Sequence, residues 1–249
     1  KMMTVEVTTK GNGGAMGTGM ITLVGQMAGF RRFARKAAGL LALLGLSFGA
    51  NATELSADNL YLQAGAGVVK SNVSELEVMM ELAEISSTAK VTNFDNNGTG
   101  HWLDLGYKLD EHLAVELGYM SLDSVGVSFT DQVSQLELDS YLEKVAFTHP
   151  DSASGFTLAA AYLYPVSDQV TVSGRAGLFR WDGDYGSLLK VSGDQYAYQT
   201  EAQKGTDWFI GMGLDYQPIT HWTLGVAIRS YRMNDFHSEL LALTMGYDF

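Results

Sequence analysis

Residues 102–120, WLDLGYKLDEHLAVELGYM, constrain the fold most strongly because they show the alternation of a β-hairpin around a short polar turn at residues 110–111. Successive side chains of a strand point to opposite faces of a sheet, so one face of this hairpin is apolar and aromatic. The other face combines small residues with three charged ones: Asp104, Lys108 and Glu116. This pattern indicates a sheet with an apolar outer face and a crowded, partly charged inner face.

The same alternation predicts eight strands in all. They lie at residues 59–69, in the two arms of 102–120, in the two arms of 156–181, and at 208–216, 222–229 and 241–249. Short turns alternate with three long connections, at residues 70–98, 122–154 and 182–205, and with a brief one at 233–237. This asymmetry is typical of outer-membrane barrels, whose turns lie in the periplasm and whose loops lie outside the cell. We therefore predict an all-β, eight-stranded antiparallel up-and-down transmembrane β-barrel, with a short amphipathic helix possible inside the first connection.

The segment before the barrel has the features of a secretory signal peptide. Four basic residues, Arg31, Arg32, Arg35 and Lys36, precede an apolar run at residues 37–48 and a small-residue ending. Cleavage is predicted after Ala52. The alternative, a membrane-anchoring helix, needs ~20 apolar residues, more than this run provides. Residues 1–52 are therefore interpreted as an upstream extension plus signal peptide, outside the fold, and residues 53–249 as the barrel.

Charge and composition exclude several functions. Six of the sixteen Lys and Arg residues and one of the 28 Asp and Glu residues precede the predicted cleavage, so the remainder is strongly acidic. Nucleic-acid binding requires a basic surface, which this chain lacks. The chain has no cysteine, and its scattered histidines show no metal-ligand spacing, so neither a metal nor another cofactor is expected.

Several motifs resemble the membrane domain of the outer membrane protein A (OmpA) family: GYKLDEHLAVELGY, YPVSDQVTVSGRAGLFRW, GLDYQPIT and the ending MGYDF. The resemblance covers residues 59–249, interrupted by the loops. It implies a bacterial outer membrane location and a terminal signal, here Tyr247 and Phe249, that is read by the barrel-assembly machinery. It also implies an interior salt-bridge network, whose positions are matched by Glu116, Arg175 and Asp215.

The inward charges suggest how the barrel interior is filled. Counted from the turns, Arg175 lies near Asp104, Glu116 and Asp215, and Arg229 also faces inward but lies farther along its strand. An interior arginine in an eight-stranded barrel has little room for water. We predict a cluster around Arg175 that blocks ion flow. The alternative is a set of separately hydrated polar residues.

Three cations have lipid-facing parity at the loop ends of their strands: Lys70, Arg180 and Arg232. Charge costs little at the membrane interface, and these side chains suit lipopolysaccharide phosphates. Snorkelling without a specific ligand is equally compatible with their long stems.

Other readings of the sequence are weaker. A lipid A-modifying barrel enzyme would use His237, Ser238 and Glu239, but neighbouring strand residues point to opposite faces. A soluble lipocalin-like barrel would place its charges outside. We therefore expect a non-enzymatic, monomeric, porin-like structural protein with at most a narrow pore and acidic surface loops, in the cell envelope of a Gram-negative bacterium. A loop-borne adhesin or receptor remains the alternative.

Overall fold

A computed structural model describes residues 2–9, 56–123, 126–134, 137, 140–141, 144, 152–184, 186–191, 194–199, 203–234 and 236–249. The strands are β1 (Met2–Thr9), β2 (Leu60–Ser71), β3 (Lys90–Asp95), β4 (Asn97–Lys108), β5 (Leu113–Asp123), β6 (Gly126–Ser134), β7 (Ser152–Ser167), β8 (Val170–Asp184), β9 (Gly186–Val191), β10 (Asp194–Gln199), β11 (Gln203–Ile219), β12 (Trp222–Met233) and β13 (Phe236–Asp248). A helix, α1, spans Glu75–Ile85. In the part of the chain described, no helix is both long and apolar enough to cross a bilayer.

Eight strands close into a barrel in the order β2-β4-β5-β7-β8-β11-β12-β13, and every neighbouring pair is antiparallel. Each barrel strand pairs with the barrel strand next to it in the chain, and β13 closes the ring against β2. The predicted eight-stranded up-and-down barrel is confirmed. Closure pairs the backbone of every barrel strand on both sides, as a membrane requires.

Short polar turns join the barrel strands at one end, which we call the turn end; the opposite end is the loop end. In the first turn the Asp110 carboxylate accepts hydrogen bonds from the backbone N–H groups of His112 and Leu113, both at 2.7 Å. Such a side-chain bond to the backbone two or three residues on stabilises a tight turn. In the turn before β12, His221 adopts a left-handed backbone with φ 71°.

The outer wall of the barrel is apolar. Leu243 is 73% exposed and Met212 63%, whereas Ala242, next to Leu243 in the chain, is 3% exposed and faces inward. Large exposed apolar side chains recur on every barrel strand except β4, whose outward Leu103 and Leu105 are half-buried, and they form a lipid-facing surface. The soluble lipocalin-like alternative is wrong because it requires the reverse arrangement.

The long connections contain regular secondary structure. Together with β1 they form a second sheet at the loop end, in the order β10-β9-β1-β6-β3, which we call the loop sheet. The first connection contains α1 and β3, the second β6, and the third β9 and β10. The helix expected in the first connection is confirmed. A capping box begins it, in which Ser74 Oγ accepts from the Glu77 N–H at 3.2 Å and Glu77 accepts from the Ser74 N–H at 2.9 Å.

The loop sheet has its own hydrophobic core. Val78 and Leu82 of α1 are buried in one cluster with the inward side of β6 and with Val7 of β1. Residues 2–9 are therefore paired into this sheet in the uncleaved chain, although they precede the predicted cleavage. Local sequence pattern could not show this pairing because the partners of β1 lie more than a hundred residues away along the chain. Residues 31–52, with the predicted signal and cleavage, lie outside the described residues.

A buried hydrogen-bond network supports the loop sheet beside this core. The Asp131 carboxylate accepts from the Thr88 hydroxyl and, at 2.6 Å, from the Tyr141 hydroxyl. Burial raises the pKa of Asp131, but the hydrogen bonds from Thr88 and Tyr141 and from the Gln132 backbone outweigh burial, so the pKa is lowered overall. Burial, together with the hydrogen bond to Asp131 and the charge of that carboxylate, raises the pKa of Tyr141. Asp131 therefore holds three segments of the loop sheet together in its ionised form.

Candidate functional site

The barrel lumen is the candidate site because the five charges of the predicted interior cluster, Asp104, Glu116, Arg175, Asp215 and Arg229, lie there, whereas Lys108 pairs with Asp248 at the turn end. From the turn end to the loop end, its side chains form an apolar layer, a polar layer and a large apolar plug. The first is a small cluster of Tyr61, Ala114 and Ala161 with Leu163 packed against it. Glycines make room for this filling, since a Cβ at Gly106 would overlap the ring of Tyr61.

In the polar layer, Arg175 of β8 pairs with Glu116 of β5. Arg175 Nε lies 3.2 Å from Glu116 Oε2, and Arg175 Nη2 lies 3.3 Å from Oε1. The two side chains are only 2% and 3% exposed. Glu116 also accepts a hydrogen bond of 2.7 Å from the Tyr61 hydroxyl. This two-pronged, desolvated ion pair joins β5 to β8 inside the lumen and fixes both side chains.

A second buried ion pair joins Arg229 of β12 to Asp104 of β4. Both side chains are essentially inaccessible, at 1% and 2% exposure. The Arg229 guanidinium also stacks over Trp102, with its carbon 3.9 Å from the ring centroid. Arg229 thereby links the polar layer to the aromatic residues of the loop end.

The predicted cluster therefore divides into two ion pairs. Arg175 binds Glu116, as expected, but Asp104 pairs with Arg229. Asp215 accepts from Gln63 Nε2 at 3.1 Å and from Thr244 at 3.2 Å, and Gln63 in turn accepts from Arg175 at 3.2 Å. Counting from the turns could not tell Arg229 from Arg175 as the direct partner of Asp104, because it ignores strand tilt and stagger, which change the height of a residue in the barrel.

The loop end of the lumen is closed by an apolar plug that the sequence analysis did not identify. Its buried members are Val69, Trp102, Met120, Leu122, Ala153, Ala159, Phe179, Trp181, Phe209, Ala227, Tyr231, Met233, Leu240 and Ala242. The Tyr231 ring lies 5.3 Å from Phe179 and 5.1 Å from Phe209, measured between centroids. Large apolar residues at inward positions near the loop ends of several strands were the available signal. The inner face is thus small and charged only toward the turn end.

The three predicted rim cations, Lys70, Arg180 and Arg232, are exposed on the outer wall near the loop end. Lys70 and Arg232 lie on the two strands that flank β13, whereas Arg180 lies on β8. Arg232 Nε donates to the backbone oxygen of Asn234 at 3.2 Å. All three cations are therefore exposed near the loop ends of their strands, and their position relative to the membrane interface stays a prediction.

His237 and Ser238 do point to opposite sides of β13. Ser238 is buried in the barrel, whereas His237 faces outward, and its Nε2 lies 2.7 Å from the Ser230 hydroxyl. Glu239 approaches the same ring nitrogen, at 4.0 Å. A catalytic triad needs the acid on the other ring nitrogen, so these three side chains do not have that arrangement.

The predicted assembly signal lies at the turn end. The Tyr247 ring contacts Trp222 at 5.1 Å and Phe249 at 5.2 Å between centroids. The Phe249 side chain is 51% exposed. These rings form part of an aromatic group on the outer wall, where aromatic girdles are found in membrane barrels.

Comparison with known proteins agrees with this architecture. Residues 38–249 match the family model described as "Outer membrane protein beta-barrel domain". A search of curated proteins found no match. Among solved structures, the chain is similar to Neisserial surface protein A, with 13% identity and a TM-score of 0.44 over 77% of this chain and 97% of that one. It is also similar to Ail, the attachment invasion locus protein of Yersinia pestis (13% identity, TM-score 0.40, 76% of this chain and 98% of that one). A third similar structure is the N-terminal β-barrel domain of Pseudomonas aeruginosa OprF (14%, 0.41, 77% and 98%).

Proposed function

Because the chain belongs to the outer membrane protein β-barrel family and is located in the bacterial outer membrane, we propose that it is a structural barrel whose lumen is closed by its own side chains, leaving at most a narrow pore. The observation that carries this proposal is the pairing of two buried arginines, Arg175 and Arg229, with carboxylates across the lumen. The turns face the periplasm and the loop sheet faces the outside of the cell.

Two layers support closure. The polar layer contributes charges that are each paired or hydrogen-bonded, so an ion entering it must compete with partners already in place. The plug above it is apolar and closely packed around Tyr231, and an ion crossing it would lose its hydration. Closure by two layers predicts that removal of either one alone leaves the lumen blocked.

A liposome leak assay tests this proposal. The full chain is produced with its own leader, purified from the outer membrane and reconstituted with a trapped dye. We expect tight vesicles for the wild type, for Glu116→Ala with Arg175→Ala, and for Phe179→Ala with Tyr231→Ala. Leak is expected only when the four substitutions are combined. Leak by the wild type, from protein that shows the heat-dependent gel shift of a folded barrel, would refute closure.

The second candidate function is that of a surface adhesin or receptor. It is favoured by the loop sheet, which has its own core and a capped helix and is therefore more than a set of connecting loops. Ordered loops at one end of a rigid scaffold are typical binding elements. Deleting residues 186–199, which removes the β9-β10 hairpin, is expected to abolish binding to host cells or matrix while leaving vesicles tight.

The outer wall suggests two further partners. We propose that Lys70, Arg180 and Arg232 bind lipopolysaccharide phosphates at the loop-end interface. We also propose that the terminal Tyr247 and Phe249 engage the barrel-assembly machinery. Replacing the three cations by Gln should weaken co-purification of lipopolysaccharide without changing folding. Truncating Phe249 should instead slow membrane assembly. The protein acts as a monomer in this proposal, since barrel closure leaves no free barrel edge.

A further inference from the structure

The loop sheet contains one strand that comes from the far N-terminal side of the predicted signal peptide. β1 is the middle strand of five and pairs antiparallel with β6 over eight residues, from Met2 opposite Ser134 to Thr9 opposite Val127. On its other side it pairs with β9, from Val5 opposite Val191 to Thr9 opposite Ser187. No direct pairing joins β6 to β9 among the described strands.

β1 also contributes to the core of the loop sheet. Val7 is 0% exposed and lies opposite Phe129 of β6, which is 1% exposed. Thr4 and Glu6, on the alternate positions, face solvent. An extended segment therefore fits the position of β1 if it has an apolar side chain facing the core and polar side chains facing solvent.

Export would remove this strand. The basic and apolar segments at residues 31–48 lie between β1 and the barrel, and the predicted cleavage after Ala52 separates the two. Without β1, strands β6 and β9 stand two strand spacings apart, ~10 Å, and each loses the hydrogen-bond partners on its facing edge. They also run parallel to each other, because both are antiparallel to β1. The strand pairs β3-β6 and β9-β10, which flank β1 on its two sides, therefore face an open slot.

We propose that the exported protein uses this slot between β6 and β9 to bind an extended segment of a partner protein. The segment adds as a strand antiparallel to β6, spans about eight residues, and places a branched apolar side chain where Val7 lies, with polar side chains outward. The main chain supplies affinity and the Val7 position supplies selectivity, as in other strand-addition complexes. This inference deepens the receptor function proposed above and rests on it.

The absence of cysteine from the chain permits a register-specific test. Glu6 lies opposite Thr130, and both lie on the side of the sheet away from the core. Facing Cα atoms in an antiparallel pair are 4.5–5.5 Å apart, which matches disulfide geometry. The full chain carrying Thr130→Cys is produced with its own leader, purified from the outer membrane in detergent, and N-terminally sequenced. A synthetic peptide of residues 1–9 carrying Glu6→Cys is the probe.

We expect the purified chain to begin after Ala52 and to form the disulfide at least tenfold faster with Thr130→Cys than with Ser134→Cys, which lies opposite Met2. A Val7→Asp version of the peptide should lose the reaction. Equal rates at the two positions, no reaction, or a purified chain that retains residues 2–9 would overturn the slot. Specific cross-linking of two barrels to each other would show that the slot binds a second copy of this chain, and it would also overturn the proposal of a partner protein. The heat-dependent gel shift and the dye leak, measured on the same sample, report separately on the closed barrel.

Discussion

The strongest test of the interior charge network is the Glu116→Ala substitution. Glu116 is 3% exposed and accepts three hydrogen bonds, two from Arg175 and one from Tyr61. Its removal leaves the Arg175 guanidinium buried, with Gln63 as its remaining hydrogen-bond partner among the described residues. Breaking a buried ion pair on one side costs about 3–5 kcal/mol. We therefore expect the unfolding equilibrium constant to rise by roughly a hundredfold to several thousandfold.

Two comparison variants make this prediction specific. Glu111 lies on the first turn with its side chain 84% exposed, so Glu111→Ala should change the free energy of unfolding by less than about 0.5 kcal/mol. Replacing both ion-pair partners, Glu116→Leu with Arg175→Met, should recover most of the lost stability because no uncompensated charge remains. Glu116→Leu, Arg175→Met and their combination form a double-mutant cycle for the pair.

The assay is equilibrium urea unfolding of the protein purified from the outer membrane and reconstituted in lipid vesicles. The fluorescence of the four tryptophans reports unfolding, and the heat-dependent gel shift confirms that each variant is folded at the start. A Glu116→Ala variant within about 1 kcal/mol of the wild type would refute the reasoning. The interior charges would then be separately hydrated, as the alternative reading of the sequence held.

Three further predictions concern packing, the membrane face and pH. Gly106→Ala should destabilise the barrel by about 1–3 kcal/mol in the same urea assay because the added Cβ overlaps the Tyr61 ring. Gly174→Ala, with nothing within 4 Å of its Cβ, should be neutral; equal effects at the two glycines would contradict this packing. Leu243→Arg, on the lipid-facing belt, should cost about 2–4 kcal/mol in vesicles, and no loss there would place Leu243 outside the membrane. Asp131→Asn should speed proteolysis of the loop sheet without changing the gel shift. The folded-state pKa of Asp131 is lowered, so the stability that its carboxylate contributes to the loop sheet is complete above its unfolded-state pKa of ~4 and is lost as the pH falls below that value. Acid should therefore speed proteolysis of the loop sheet in the wild type but not in the variant.

The alternation of side chains along the sequence was sufficient to predict the barrel strands. Side-chain alternation has a period of two, so it assigns each strand residue to a face without knowledge of its neighbours. Short turns such as the one containing Asp110 could also be located, because their side-chain hydrogen bonds are made within a few residues. The inward orientation of Arg175, Glu116, Asp215 and Arg229 followed from the same rule.

Contacts between segments that are distant in the chain could not be predicted from the alternation within each strand. The pairing of Asp104 with Arg229 joins strands 125 residues apart, and it depends on the stagger of the closed barrel, which no single strand encodes. The loop sheet likewise depends on five segments from four parts of the chain. The inward positions of Phe179 and Phe209 follow from the alternation, but their packing around Tyr231 depends on the closed barrel.

Single-channel recording in planar bilayers tests the closed lumen most directly. Protein purified from the outer membrane, with its heat-dependent gel shift verified, is added to one side at increasing voltage. The two buried ion pairs and the plug predict no discrete current steps. Regular, ohmic steps whose frequency rises with the amount of folded protein, and which disappear from a boiled sample, would show an open pore and contradict the account.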